Sequence, residues 1–179
     1  MTAPEHDTTH AEHPRDPATA GPVVSGAPSA AGPSPDDLLR LDQQVCFALA
    51  VAARNVIGLY RPVLEPLGLT HPQYLVMLAL WERAPLTVKE IGDLLSLEPA
   101  TVSPLVRRLE AAGLVRRDPH PSDDRALHVS LTPAGRELRE QALGVPPQVI
   151  ARLGMEVSQL QELHRSLTTV IAATRSAQA

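Results

Sequence analysis

Cysteine and lysine occur once each in this chain of 179 residues. The lone Cys46 excludes an intrachain disulfide and argues against a secreted, disulfide-stapled scaffold. Two readings remain for it, an inert core residue or a reactive group, because free cysteine packs as a small hydrophobe while its thiolate is a nucleophile. With Lys89 as the single lysine, nearly all positive charge is arginine. No run of about 18 apolar residues marks a membrane span, and the N-terminus lacks the charged start and apolar stretch of a signal peptide. The expected compartment is therefore the cytoplasm, with no membrane partner. No His-Asp triad, cofactor loop or resolving cysteine supports an enzyme, and neither a metal nor a cofactor is expected.

What is present is a 44% hydrophobic chain, long enough for one domain with a real core. Residues 1–33 are mostly Ala, Pro, Gly, Thr and His, too poor in large apolar side chains to offset the entropy of ordering, and read as a disordered tail. Its His6, His10 and His13 have no Cys and no second ligand cluster beside them and read as solvated. The net charge of −4 is concentrated there: Glu5, Asp7, Glu12 and Asp16 face Arg15 alone, leaving about −1 for residues 34–179. Any affinity for nucleic acid must then come from a local arrangement rather than from bulk charge.

Ser34-Pro35-Asp36-Asp37 reads as a helix start, with Leu38, Leu41, Val45, Leu49, Ala52, Val56 and Leu59 recurring at steps of three and four until Pro62 ends or bends the element. Thr70-His71-Pro72-Gln73 reads as a capping box opening a second helix, with Tyr74, Leu75, Leu78 and Trp81 inward and Pro85 as its end. Thr87-Val88-Lys89-Glu90 is another, ahead of an apolar stripe of Val88, Ile91, Leu94 and Leu95. A tight turn follows, then a helix from Pro99 to about Ala112 stopped by Gly113. Short helix, turn and longer helix form a helix-turn-helix pattern.

After Gly113 the period changes to two. Leu114 to Arg117 and Ala126 to Leu131 read as a hairpin with Leu127, Val129 and Leu131 inward and a loop from Asp118 to Arg125. A hairpin placed directly after a recognition helix is a wing. Thr132-Pro133 caps a further helix, Pro146-Pro147 breaks the chain, and a last helix carries Val157, Leu160, Leu163, Leu167, Val170 and Ile171. The expected fold is mainly α with a small β-hairpin wing. It comprises dimerisation helices at 34–66 and 146–175 around a DNA-binding part at about 70–140, with the first and last helices building a two-fold dimer.

Thr101 and Ser103 stand near the N-terminal end of the expected recognition helix, where base edges are met. Arg107 and Arg108 stand one to two turns further on, within reach of phosphate or guanine. Pro104 removes one interior hydrogen bond, to the carbonyl of Ala100, near the start of that helix. At the wing, Asp123 is spaced to orient the Arg125 guanidinium toward a narrow minor groove; a simple surface ion pair is the plainer reading.

Pro121-Ser122-Asp123-Asp124-Arg125 followed by Leu131-Thr132-Pro133-Ala134-Gly135 resembles the wing of the MarR family of transcription regulators. Leu41 to Phe47, Leu59-Tyr60-Arg61-Pro62, Leu67 to Leu75 and Leu105 to Glu110 extend the resemblance, over roughly residues 38–172, to the OhrR branch, which senses organic hydroperoxides. The resemblance implies a homodimeric repressor that holds an inverted-repeat operator in double-stranded DNA until peroxide oxidises Cys46. With no second cysteine in the chain, it implies the one-cysteine type, in which a low-molecular-weight thiol forms the mixed disulfide. Tyr60 matches one of the tyrosines that hydrogen-bond the sulfur in the family. His71 stands where the family has its second, and its charge change near pH 6.5 gives a pH-dependent sensor. Tyr74 is either a third donor or a core residue. Tyr60 and Cys46 are 14 residues apart, about 21 Å along a straight helix, so a contact between them requires the partner chain. The alternative is a MarR-type regulator responding to a small aromatic or phenolic ligand, with Cys46 structural.

Overall fold

The computed structural model describes residues 39–120 and 123–178, with side chains for 39–119 and 127–177. The expected tail and the Ser34–Asp37 helix start lie outside them. Residues 39–43 belong to a separate unit. They carry a 3-10 turn, Leu41–Gln43, in which the Arg40 guanidinium forks onto Asp42 at 3.1 and 2.9 Å and holds that carboxyl below its ordinary range.

In the main unit the first helix, α1 (Val45–Leu64), begins later than its periodicity predicts and runs on through Pro62. A proline this close to the C-terminal end costs one hydrogen bond, and the helix survives the loss. The turn Glu65–Leu67 and Gly68, at φ 67° in the left-handed region, then redirect the chain. The start of α2 (His71–Arg83) is fixed by the capping box, in which the Thr70 N–H donates to Gln73 Oε1 at 2.9 Å. Val76, Met77, Ala79 and Leu80 are buried along with Tyr74, so α2 is enclosed nearly all round; Leu78, expected inward, is 41% exposed.

A two-residue strand, β1 (Leu86–Thr87), precedes α3 (Val88–Leu95), whose start is held by Glu90 N–H donating to Thr87 Oγ1 at 3.2 Å. Ile91 is its buried anchor, while Leu94 faces outward. After the turn comes α4 (Pro99–Ala111), with Gly113 at φ 74° beyond its end. The hairpin strands β2 (Val115–His120) and β3 (Asp123–Leu131) are longer than predicted: the described residues of the expected loop are strand. The sheet order is β1-β3-β2, with Leu86 opposite Val129 and Arg117 opposite Val129 from the other side. Val129 is buried, but Leu127, on the same face, lies out along the wing beyond the core and is 47% exposed.

The remaining helices are α5 (Pro133–Ala142), α6 (Val145–Leu153) and α7 (Val157–Gln178). Pro146-Pro147 does not break the chain. It opens α6, because first-turn N–H groups have no partner inside a helix and their loss costs nothing there. One core joins α2, α3, α4, the sheet, the end of α1 and the inner faces of α5 and α6. Among the described residues, neither the first half of α1 nor α7 has a buried one. Val45, Phe47 and Ile57 on α1 and Val157, Leu163, Val170 and Ile171 on α7 present apolar side chains to solvent. An 18-residue window within Val45–Leu67 has a mean hydropathy of 1.3, long and apolar enough to cross a membrane by length and composition alone. Arg54 and Arg61 interrupt this stretch, which is why it holds no unbroken run of about 18 apolar residues, and a guanidinium near the middle of a span is costly in hydrocarbon.

Candidate functional site

The helix-turn-helix face follows from which residues of α4 the core consumes. Val102, Leu105, Val106 and Leu109 are buried, the i, i+3, i+4, i+7 stripe that fixes an amphipathic helix. Thr101, Pro104, Arg107 and Arg108 are exposed on the other side. The missing N–H of Pro104 therefore falls on the outward face. Ser103 is half-buried and its hydroxyl donates to the Pro99 carbonyl at 2.9 Å, so it is turned back on its own helix. Arg107 and Arg108 form no ion pair among the described residues, leaving both guanidiniums available to an anion. Asp123 and Arg125 fall on β3, and their expected ion pair lies outside the described side chains.

Two joints that the sequence reading missed brace this face, one to the wing and one between α2 and α5. Arg117 on β2 donates through Nε to Glu110 Oε2 on α4 at 2.8 Å, and its backbone N–H donates to Oε1 of the same carboxylate at 3.2 Å. Hydrogen bonding to Arg117 holds the Glu110 carboxyl below its usual range, and the same contact raises the Arg117 guanidinium. The Trp81 indole N–H donates to the Gly135 carbonyl at 2.8 Å, tying α2 to the start of α5. An acid near the end of a recognition helix seven residues before a strand arginine was the signal available for the first; the second had none.

The residues singled out around Cys46 fall into two places. Cys46 is exposed in the first turn of α1. Tyr60 is near the other end of the same helix, where the chain turns back into α2. That return brings the Tyr60 ring to 4.9 Å from the His71 ring, edge-on, and to 6.1 Å from Tyr74, which in turn lies 6.3 Å from Trp81. Tyr74 is 3% exposed, a core residue, and burial followed by the charge of Tyr60 pushes its phenol upward. His71 lines an open cleft between α1 and α2.

Burial lowers the pKa of His71 below the ordinary imidazole value. The charge change expected near pH 6.5 is thereby moved to lower pH, and at neutral pH the ring is a neutral donor or acceptor. The unfolded chain takes up a proton at about pH 6.5, while the fold resists until lower pH. Stability is thus unaffected by this group above that value and falls as pH drops through it toward the folded pKa. Melting temperature measured against pH should show His71→Tyr losing less stability than the parent on acidification below about pH 6.5; parallel curves would show that His71 does not carry this term.

The sequence profile of the MarR family matches residues 69–127. The chain is 36% identical over 135 residues to the organic hydroperoxide resistance transcriptional regulator of Bacillus subtilis, covering 75% of this chain and 92% of that protein. The solved structure of reduced AbfR bound to DNA superposes with a TM-score of 0.69 at 31% identity, over 80% of this chain and 98% of AbfR. CouR from Rhodococcus jostii bound to p-coumaroyl-CoA superposes with a TM-score of 0.63 at 27% identity, over 74% and 94% of the two chains.

Proposed function

The chain belongs to the MarR family of DNA-binding transcription regulators, and we propose that it is a dimeric repressor released from its operator when an organic hydroperoxide oxidises Cys46. The observation that carries this reading is the split site. A ring cluster of Tyr60, His71 and Tyr74 gathers at one end of α1, and a solvent-exposed thiol stands at the other. A second copy of the chain, packed on the bare apolar faces of α1 and α7, completes the site by laying the Cys46 end of one subunit beside Tyr60 of the other. The similarity to the B. subtilis regulator supports the hydroperoxide as signal.

The chemistry closes without a metal or cofactor. Cys46 as thiolate attacks the distal peroxide oxygen; an S–O bond forms, the O–O bond breaks, and the alkoxide leaves as an alcohol after taking a proton from a neighbouring donor such as Tyr60. Sulfur is oxidised by two electrons and the peroxide reduced by two. A low-molecular-weight thiol then displaces water from the sulfenic acid to give a mixed disulfide, since the chain has no second cysteine. Thr101, Arg107 and Arg108 of α4, with Ser103 once its hydroxyl is freed, meet the major groove, and the Asp123–Arg125 end of the wing meets the minor groove. A regulator of this kind works in the cytoplasm.

The cleft at His71 and the likeness to CouR with its bound thioester favour one other reading, displacement of DNA by a reversible aromatic ligand. A gel-shift experiment separates the two. Reduced protein on an operator duplex selected in vitro should release DNA on adding an organic hydroperoxide with a small thiol, and should rebind fully after a dithiol reductant. Release that saturates with a non-oxidising ligand and ignores the reductant would replace the redox reading with the ligand reading.

A further inference from the structure

Support for the wing from the core ends early. Val115 and Val129 are buried on its inner face, but Leu127, the next inward rung of β3, is exposed, so the core has run out by that point. Arg117 stands opposite Val129, at the last supported rung. β2 is the edge of the sheet, and the Arg117 backbone N–H faces away from β3 and donates to Glu110 Oε1 at 3.2 Å. The Arg117 Nε donates to Oε2 of the same carboxylate at 2.8 Å. One side chain near the end of α4 thus grips both the backbone and the side chain of the edge strand. The Arg116–Asp118 ion pair lies within β2 and ties that strand only to itself.

Beyond Arg117 the hairpin is a lever. The three residues from Arg117 to the end of β2 span about 10 Å, so a swing of about 10° at the joint moves the tip by about 2 Å, more than a hydrogen bond tolerates. Near that tip β3 carries Asp123 and Arg125, the residues assigned to the minor groove. That groove distinguishes chiefly A·T from G·C pairs, by its width as well as by its acceptors. A guanidinium gains from a narrow A·T groove only when it is delivered in register with α4. Resting on the docking of α4 and the wing given above, we propose that Glu110 and Arg117 form a strut that sets the reach of the wing, and that both are positioning residues for recognition of an A·T-rich flank beside each half-site. Neither touches DNA. Their charges cancel within the fork, so the strut adds no attraction for phosphate, in contrast to Arg107 and Arg108, which form no ion pair among the described residues.

The test uses full-length protein on the operator selected in vitro, a second duplex in which the flanking A·T pairs are replaced by G·C, and a third with one substitution beneath α4. Hydroxyl-radical footprinting of the parent locates the flank. The parent should bind the A·T flank about tenfold more tightly than the G·C flank, within the range of one mismatched pair. In Glu110→Gln and in Arg117→Gln that ratio should fall to about twofold or less, while the penalty for the substitution beneath α4 persists. Glu110→Gln/Arg117→Gln should match the single variants rather than add to them, because partners in one contact are not independent. The two single changes alter net charge in opposite directions, which separates the strut from bulk electrostatics. Opposite shifts in overall affinity with an intact flank ratio overturn the proposal in favour of charge. Loss confined to Arg117→Gln overturns it in favour of a direct contact between Arg117 and DNA, and loss at flank and core alike with a lower Tm overturns it in favour of a general prop to the fold. Arg117→Lys, which keeps the charge and loses the fork, serves if a Gln variant does not fold; a parental ratio in it also overturns the strut, as does a parent that protects the flank without preferring A·T. A parent with no protected flank is a distinct result, because it removes the docking of the wing itself.

Discussion

Gly135→Ala is expected to destabilise the protein by at least about 3 kcal/mol, an overpacking cost at the upper end of its class. An added Cβ at this position would lie 2.0 Å from the Leu114 carbonyl oxygen and 3.0 Å from its carbon. The obstruction is backbone, not the movable end of a side chain. Leu114 is itself held, since its carbonyl accepts the Thr132 N–H at 3.1 Å and the Thr132 hydroxyl at 3.1 Å. Gly135 is held from the other side by the Trp81 indole and by its own N–H on Thr132 Oγ1 at 3.0 Å. Relieving the clash thus requires moving α5 away from the junction of α4 and β2, which strains both sets of bonds. In a chain of this size the loss corresponds to a fall of roughly 10 °C in Tm, and DNA affinity should fall with it, because that junction aims α4. A variant that melts within about two degrees of the parent would mean the junction is soft. Gly92→Ala makes a similar but smaller demand, its Cβ meeting the Leu97 carbonyl oxygen at 2.5 Å.

The same glycine shows what kind of information the sequence carried. Leu131-Thr132-Pro133-Ala134-Gly135 was legible as a family pattern, but its physical reason, the close approach of Leu114, comes from a residue far along the chain. Most helix boundaries with local chemistry were legible, namely the capping boxes at Thr70 and Thr87, Pro99, the Thr132 cap and Gly113 at the end of α4, whereas Pro146-Pro147, which opens α6, read as a break. The β1 strand was not, because two residues hold no period. Leu78, Leu94 and Leu127 were read as core from periodicity alone, which gives the face of an element but not where the neighbouring element ends. Of the site, Tyr60, His71 and Tyr74 were singled out by resemblance, and only the return of the chain from α1 into α2 makes them a cluster. The first and last helices were read as a dimer interface, and in the single chain the apolar side chains of α1 and α7 stay bare.

Cys46→Ser is expected to abolish hydroperoxide-driven release of DNA, since a serine hydroxyl has no thiolate to attack the peroxide oxygen and no sulfenic acid to pass to a thiol. The harder question is which Tyr60 serves the thiol. Both residues lie on the continuous helix α1, and 14 residues at 1.5 Å each separate them by about 21 Å, whereas a hydrogen bond to sulfur requires direct contact. The proposed dimer resolves this only if the tyrosine acts across it, and mixed dimers distinguish the cases by a reversal of order. Pairing a Cys46→Ser subunit with a Tyr60→Phe subunit leaves one intact thiol facing an intact tyrosine in trans. Pairing the parent with a chain bearing both substitutions leaves the single thiol facing phenylalanine, although its own chain still has Tyr60. Loss of one hydrogen bond to the charged sulfur should slow thiol oxidation in the second pair about 10- to 100-fold relative to the first. A tyrosine acting within its own chain would invert that order, with the second pair fast and the first slow. Equal rates would instead mean that Tyr60 does not activate Cys46, and the thiol would then have to draw its reactivity from elsewhere in the interface.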